Sequence, residues 1–296
     1  MPRIVSLISS ATEIVDALGA LPSLVGRSHE CDFPPEVVAL PVCTKPRFSI
    51  DGDSREIDRL VRQTLTDYVS IYEVFDDVLE RLQPTHILTQ IQCQVCAVSL
   101  RDVERSVASK LASRPKIVSL APFTLPDVWN DIRRVAESLD IAEQGEQVIG
   151  NLQERMRAIA RTAKLQSARP RIACIEWLEP IMPAANWMPE LVEIAGGENE
   201  EWVTWSDLVA ADPDVILVMP CGFALERAAH EIHWLTARPE SKTLRAVRNG
   251  RVYAADGNQY FNRPGPRLVE SVQILAEILH PQVFPPRLAG TGWKTV

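Results

Sequence analysis

One ten-residue pattern occurs twice in the chain. The pattern Leu-x-x-x-x-Pro-x-x-Ile-Leu spans residues 79–88 and again residues 208–217, and in both places the end of an amphipathic helix leads into an apolar strand. Residues 13–20 and 190–197 form a second similar pair, each a helix with one apolar face that stops at a glycine. The repetition predicts two similar α/β lobes, because both halves of the chain contain the same βαβ pattern.

A long uninterrupted helix is predicted between the two lobes. Residues 143–165 carry apolar side chains at helical spacing and contain no proline and no glycine after Gly150. The predicted division is an N-terminal α/β lobe over 1–141, an interlobe helix over 142–168, and a C-terminal α/β lobe with a proline-rich tail over 169–296. Ligands of open α/β sheets bind beyond the carboxyl ends of the strands, so we expect a ligand cleft between the lobes.

Composition limits the classes of function. The chain has 296 residues, of which 46% are hydrophobic and 24% are charged, and this is enough for two hydrophobic cores. A net charge of −8 and an isoelectric point near 5.3 disfavour binding to nucleic acid or to a membrane surface. No apolar run approaches the roughly 20 residues of a spanning helix, so we expect no membrane insertion. We expect a monomer.

The first residues and the cysteines bear on location. The sequence MPRIVSLISS leads directly into a strand and shows no apolar signal core followed by a cleavage site. Six cysteines with one close pair do not resemble a secreted disulfide framework. Both observations predict a cytoplasmic protein.

Six segments, taken together, resemble one family. They are IVSLISSATEIVDALG, SHECDFPP, LQPTHILTQ, IACIEWLEP, LVEIAGGEN and YFNRPGPRLVES. In order and spacing they resemble the substrate-binding proteins of metal-chelate ABC importers, the class with two lobes joined by a long helix, and specifically the cobalamin-binding branch. The resemblance implies little domain closure and a corrinoid, haem or siderophore bound in the cleft.

The resemblance also implies particular ligand contacts. In the second lobe they are Trp177, Trp202, Tyr260, Phe261 and Arg263, whose aromatic faces suit a flat macrocycle and whose guanidinium suits amide or phosphate oxygens. Trp177 is equally compatible with the core, because an aromatic residue in an apolar strand usually packs inside. In the first lobe, the places of the family's aromatic contacts hold polar residues, namely Glu30, Thr44, Lys45 and Gln90.

The cysteines allow a different chemistry. Cys93 and Cys96 lie between a predicted strand and a helix N-terminus, where the helix dipole favours the thiolate. Cys31 and Cys221 follow other predicted strands, so Cys31, Cys93 and Cys96 are candidate ligand contacts, and all four cysteines are candidate metal ligands. The chain has no second Cys-x-x-Cys, and we therefore predict no bound metal ion. Cys174, inside a strand, is predicted to be core.

Nothing in the sequence anchors an enzyme. There is no phosphate-binding glycine loop, no nucleophile elbow and no paired-carboxylate motif. His230 and His233 lack the carboxylate pattern of a metalloenzyme. We therefore predict no catalytic residues and no catalytic cofactor.

The predicted function is binding of a small-molecule metal chelate. The preferred ligand is cobalamin or a related corrinoid, which the protein would bind in salvage, storage or delivery. The alternative ligand is another metal chelate, such as haem or a siderophore. A second alternative is a thiol-based redox or metal protein that uses Cys93 and Cys96. The family docks on its transporter through acidic residues at the lobe tips. Asp77 fits this role in the first lobe. The matching position in the second lobe is Ser206, beside Asp207, so we do not expect transporter docking.

Overall fold

The computed structural model describes residues 1–68, 70–91, 103–104 and 111–296. These residues form two compact units. The first comprises residues 1–52 and 59–151, and the second comprises residues 53–58 and 152–296. Within the described residues, no helix is both long enough and apolar enough to cross a bilayer.

A four-stranded parallel sheet is the centre of the first unit, with strand order β2-β1-β5-β6. β1 is buried along its whole length, as is usual when helices cover both faces of a parallel sheet. β3 and β4, which lie between β2 and β5 along the chain, form a separate antiparallel pair. The strands of this unit are β1 (Ile4–Ser6), β2 (Leu24–Arg27), β3 (Thr44–Pro46), β4 (Tyr72–Val74), β5 (His86–Gln90) and β6 (Lys116–Leu120).

Helices pack around this sheet. The core of the unit contains Val5, Leu79 and Ile87, which are fully buried. A reciprocal pair of hydrogen bonds between Thr124 and Asp127 caps the start of one helix, which is the capping-box arrangement. The helices are Ser9–Ala17, the later part of Ser54–Asp67, whose first turn belongs to the second unit, Asp76–Leu82, Leu125–Ser138 and the first part of Ala142–Ala163, with short 3-10 turns at Leu21–Ser23 and Pro35–Ala39.

The second unit contains a six-stranded mixed sheet. Its path is β12-β11-β10-β7-β8, and β9 pairs with the start of β7. β7, β10 and β11 run parallel, whereas β8 and β12 pair antiparallel at the two ends of the path. The strands are β7 (Arg171–Leu178), β8 (Ile181–Pro183), β9 (Glu198–Asn199), β10 (Val215–Val218), β11 (Val252–Ala255) and β12 (Trp293–Thr295).

The helices of the second unit are short except for the last one. They are Met188–Ile194, Trp205–Ala211, Leu225–Glu231, His233–Thr236, Arg245–Arg248 and Leu268–Leu279, together with the later part of Ala142–Ala163, a 3-10 helix at Pro239–Thr243 and a π-helix at Gly257–Phe261. The tail after residue 280 returns to the sheet as β12, which pairs with β11. Trp293 in this strand is buried, and its indole N–H donates to Glu277 Oε2 at 2.8 Å.

The fold class predicted from the repeat is confirmed, since both units are α/β with parallel strands. Both copies of the repeated pattern have the same backbone: the helix ends at a left-handed residue, Gln83 or Asp212, each with φ of 43°, before the proline and the next strand. The helix predicted over 143–165 spans Ala142–Ala163, and the boundary between the units falls within it. The division into 1–141, 142–168 and 169–296 stays a prediction.

Candidate functional site

The carboxyl ends of four parallel strands form one edge of the first sheet, which we call the first edge. His29 and Glu30 follow β2, Ser9 follows β1, Ile91 follows β5, and Phe123 follows β6. Ile91 and Phe123 are exposed at 52% and 53%, although both are large and apolar. Exposed apolar side chains at the carboxyl edge of a parallel sheet are typical of a ligand-binding surface.

His29 is held in one orientation at the first edge. Its Nδ1 lies 2.8 Å from Thr44 Oγ1, and its ring packs against Tyr72 with centroids 5.1 Å apart. Its Nε2 is buried and has no hydrogen-bond partner among the described residues; the nearest carboxylate oxygen, Glu30 Oε1, is 3.9 Å away. Burial, aided by the charge of Arg27, lowers the pKa of His29 to about 4, so the imidazole is neutral at physiological pH.

Glu30 and Cys31 occupy different environments. The Glu30 carboxylate is partly exposed and accepts a hydrogen bond from the Tyr72 hydroxyl at 3.0 Å. Cys31 is fully buried, Thr12 Oγ1 donates to its Sγ at 3.0 Å, and burial raises the pKa of its thiol. Gln90 is buried at the end of β5, opposite Leu120. Cys93 and Cys96 lie outside the described residues.

The loops after β7 and β10 meet in the second unit. Trp177, on β7, is 8% exposed, and its indole N–H donates to the backbone oxygen of Ser54 at 3.2 Å. It packs edge to face on Phe223, which follows β10, with centroids 5.3 Å apart. The Arg227 guanidinium lies 3.7 Å above the Phe223 ring. These contacts place Trp177 between the core and the carboxyl edge of the sheet.

The loop after β11 holds three of the predicted contacts. Phe261 is buried and its backbone oxygen accepts a hydrogen bond from the Trp187 indole at 3.1 Å. Arg263 is also buried and donates to Asn258 Oδ1 at 2.9 Å. Tyr260 lies under the Arg267 guanidinium, 5.5 Å from ring centroid to guanidinium carbon. The structure therefore brings Tyr260, Phe261 and Arg263 together in one tightly bonded loop.

Two predicted residues lie apart from these. Trp202 is buried and lines a separate open groove of about 750 Å³ between residues 183–189, residues 199–203 and the helix Trp205–Ala211. None of the other predicted contacts among the described residues lines that groove. Cys221, after β10, is partly exposed. Within the described ranges, no three His, Cys, Asp or Glu side chains are arranged to hold a bare metal ion.

Sequence reasoning missed several residues at these edges. Ile91, Phe123, Phe223 and Arg227 were not singled out, and His29 was considered only as a possible further ligand of a zinc site with the cysteines. The available signal was position: each lies within a few residues of the end of a strand or in the helix that follows. The acidic candidates differ in their contacts. Asp77 is an exposed partner of Arg81, whereas the carboxylate of Asp207 caps its own helix through Thr204, and those hydrogen bonds lower its pKa.

The chain is similar to known proteins in sequence as well as in architecture. Residues 109–258 match the family described as periplasmic binding protein. An uncharacterized ABC transporter substrate-binding lipoprotein of Bacillus subtilis (strain 168), YvrC, is 21% identical over 95% of this chain and 81% of its own length.

Solved structures match almost the whole chain. The periplasmic haem-binding protein RhuT from Roseiflexus sp. RS-1 superposes with a TM-score of 0.70 at 22% identity, covering 95% of this chain and 99% of its own. The periplasmic vitamin B12 binding protein BtuF of Vibrio cholerae gives 0.63 at 22% identity, covering 94% and 96%. Three further matching structures are named as haem-binding or haem-bound proteins.

The prediction of a cytoplasmic protein is wrong. The relatives are named as a lipoprotein and as periplasmic proteins, which are extracytoplasmic. The prediction relied on the first residues of the sequence and on the cysteine count, and neither carries information about a leader or an anchor outside the given sequence. The expectation that the chain has no catalytic activity is confirmed by the family match, which covers half of the chain. The chain belongs to the periplasmic binding protein family and is a substrate-binding protein, not an enzyme.

Proposed function

We propose that this chain is the substrate-binding component of an ABC importer for a metal chelate, and that the chelate is haem or a related porphyrin. The observation that carries the proposal is the pair Ile91 and Phe123, half exposed at the carboxyl ends of adjacent parallel strands. A flat macrocycle resting on these side chains would remove their apolar area from water, which is worth about 25 cal/mol per Å². A small polar solute would gain little from them.

A residue of the second unit, taken by itself, suits carboxylates. Haem carries two propionates, whereas the side chains around a corrin ring are mostly neutral amides. Arg227 is partly exposed, and its guanidinium carbon lies 3.7 Å from the centroid of the Phe223 ring. A guanidinium fixed in this way binds carboxylates well, because fewer of its conformations are lost on binding. The arrangement favours porphyrin over corrinoid.

The relatives support the same choice. The similar structures named above include RhuT and three further proteins named for haem, against one named for vitamin B12. Corrinoid stays the competing ligand, because the vitamin B12 binding protein covers almost the whole chain and the segment YFNRPGPR resembles that branch.

The test is a titration of the purified ligand-free protein with haemin, metal-free protoporphyrin IX, cyanocobalamin and a ferric siderophore, followed by absorbance and tryptophan fluorescence. We expect haemin to bind at least tenfold more tightly than cyanocobalamin. Phe123→Ala should weaken haemin binding by about 1–2 kcal/mol, the usual value for an apolar side chain buried by a ligand. Leu165→Ala, an exposed apolar residue that precedes the amino end of β7 and so lies at neither carboxyl edge, is the matched control and should bind as the wild type does.

Two results would contradict the proposal. One is tighter binding of cyanocobalamin or the siderophore than of haemin. The other is haemin binding that Phe123→Ala and Leu165→Ala alter equally, since nonspecific adsorption of haemin to apolar surface would produce that outcome.

A further inference from the structure

One ring nitrogen of His29 contacts an oxygen that orients the ring, and the other has no hydrogen-bond partner among the described residues. Metal-binding histidines usually donate one ring N–H to an oxygen, which fixes the ring orientation and leaves the other nitrogen for the metal. Here Nδ1 lies 2.8 Å from Thr44 Oγ1, and the His29 backbone N–H donates to the same oxygen at 3.1 Å. With the proton on Nδ1, where it would be donated to Thr44, the lone pair lies on Nε2.

The free energy of the site favours a partner for Nε2. A buried polar nitrogen without a hydrogen bond destabilises the folded protein, and Nε2 is such an atom among the described residues. The His29 side chain as a whole is 18% exposed, so part of it reaches the surface beside Glu30.

One imidazole is too few ligands for a bare metal ion. It is enough for a metal that already has four ligands from a macrocycle, because such a metal lacks only axial ligands. Ile91 and Phe123, which are proposed to support the macrocycle, follow strands of the same parallel sheet as β2, the strand that precedes His29. The same edge therefore offers a flat apolar support and a nitrogen ligand.

Three other possible axial ligands among the described residues of the first unit are less suited. Tyr72 is buried and its hydroxyl donates to Glu30. Cys31 is buried, and its Sγ accepts a hydrogen bond from Thr12. His86 lies at the start of β5, at the opposite end of the strand from the first edge, and its Nε2 is 2.9 Å from the backbone oxygen of Ser138.

We infer that His29 is an axial ligand, binding the metal of the chelate through Nε2, and that Thr44 is the positioning residue that orients the ring. This inference rests on the proposed function, since it requires a chelated metal. It assigns the metal contact to the loop after β2, a place that the prediction from sequence gave to Glu30 and Cys31.

The experiment compares haemin with metal-free protoporphyrin IX, which has the same ring and propionates but no metal. We expect His29→Ala to weaken haemin binding by about tenfold or more and to leave protoporphyrin binding unchanged. The Soret band and electron paramagnetic resonance of bound haemin should change, and added imidazole should restore them. Thr44→Val should give a smaller loss for haemin only. His230→Ala, an exposed histidine of the second unit, is the matched control.

The outcomes are distinguishable. Unchanged haemin affinity and spectrum in His29→Ala overturn the axial role and leave the proposed function intact. Equal weakening of both porphyrins by His29→Ala also overturns it, because the residue then supports structure or ring contact. If the wild-type protein binds neither porphyrin, the proposed function fails and the axial role fails with it. Protoporphyrin binding also shows whether each variant is folded.

Discussion

We predict that Trp177 stabilises the fold through a hydrogen bond within the protein, which is a structural role and not a ligand contact. Its indole N–H donates to the backbone oxygen of Ser54 at 3.2 Å, and its ring is buried against Phe223. Trp177→Phe keeps an aromatic ring but removes the donor, so we expect a loss of about 1–2 kcal/mol in unfolding free energy. Trp177→Ala also creates a cavity, and we expect a loss of about 3–5 kcal/mol.

The matched control is Trp202→Phe. Trp202 is buried to a similar degree, but its indole N–H has no acceptor among the described residues. The change at Trp202 therefore removes similar volume without a hydrogen bond, and the difference between the two Phe variants isolates the bond to Ser54. Urea unfolding followed by circular dichroism gives the values, and hydrogen exchange at residues 53–58 should rise only in the Trp177 variants. Equal losses in the two Phe variants would refute this reasoning, as would a Trp177→Ala protein of wild-type stability whose haemin affinity has fallen tenfold.

Two further predictions concern stability. Burial raises the pKa of Asp131 to about 6 despite its contact with Arg134, so stability from this group is complete below about pH 4 and is lost as pH rises through 6. The loss should reach about 3 kcal/mol at most and should disappear in Asp131→Asn, as measured by urea midpoints between pH 4 and 7; parallel pH profiles would contradict it. Gly257→Ala should destabilise by about 2–3 kcal/mol or more, because its new Cβ would lie 2.2 Å from the backbone oxygen of Pro220. Its control is Gly150→Ala, whose Cβ would contact no described residue within 4 Å and which should change stability by less than about 1 kcal/mol; equal melting temperatures would count against the close approach at Gly257.

The repeated units were predictable because their signals are local. A helix end, a left-handed residue, a proline and an apolar strand follow one another within ten residues, and the backbone at Gln83 and Asp212 is the same in both copies. The long helix was predictable for the same reason, since helical spacing and missing helix breakers lie within one segment.

Pairings between distant segments were not predictable. The helix that ends in the first copy of the repeat begins only at Asp76, because Tyr72–Val74 is a strand that pairs with Thr44–Pro46. The tail was left without structure, yet Trp293–Thr295 pairs antiparallel with β11. Strands of three residues are too short to show alternation, and their stability comes from a partner that the local sequence does not reveal.

The site was predictable only in part, because residue type does not fix orientation. The sequence left Trp177 between core and ligand, and only the distance to Ser54 shows that its polar atom has a structural partner. For His29 the decisive facts are the contact of Nδ1 with Thr44, fifteen residues away, and the environment of Nε2. Neither follows from the spacing of histidines and cysteines along the chain.

Arg263 and Arg227, both in the second unit, differ in burial, and the sequence alone does not show this difference. Arg263 resembles a family ligand contact, but it is buried and hydrogen-bonded to Asn258, five residues earlier in the same loop. Moving it to meet a ligand would break that bond and leave a charged group in a protein interior, which is unfavourable. Arg227 is partly exposed and its guanidinium lies on an aromatic ring, so its charge is nearer to solvent than that of Arg263. We therefore expect Arg263 chiefly to shape the loop after β11, and Arg227 to be the better candidate for recognising an anionic ligand.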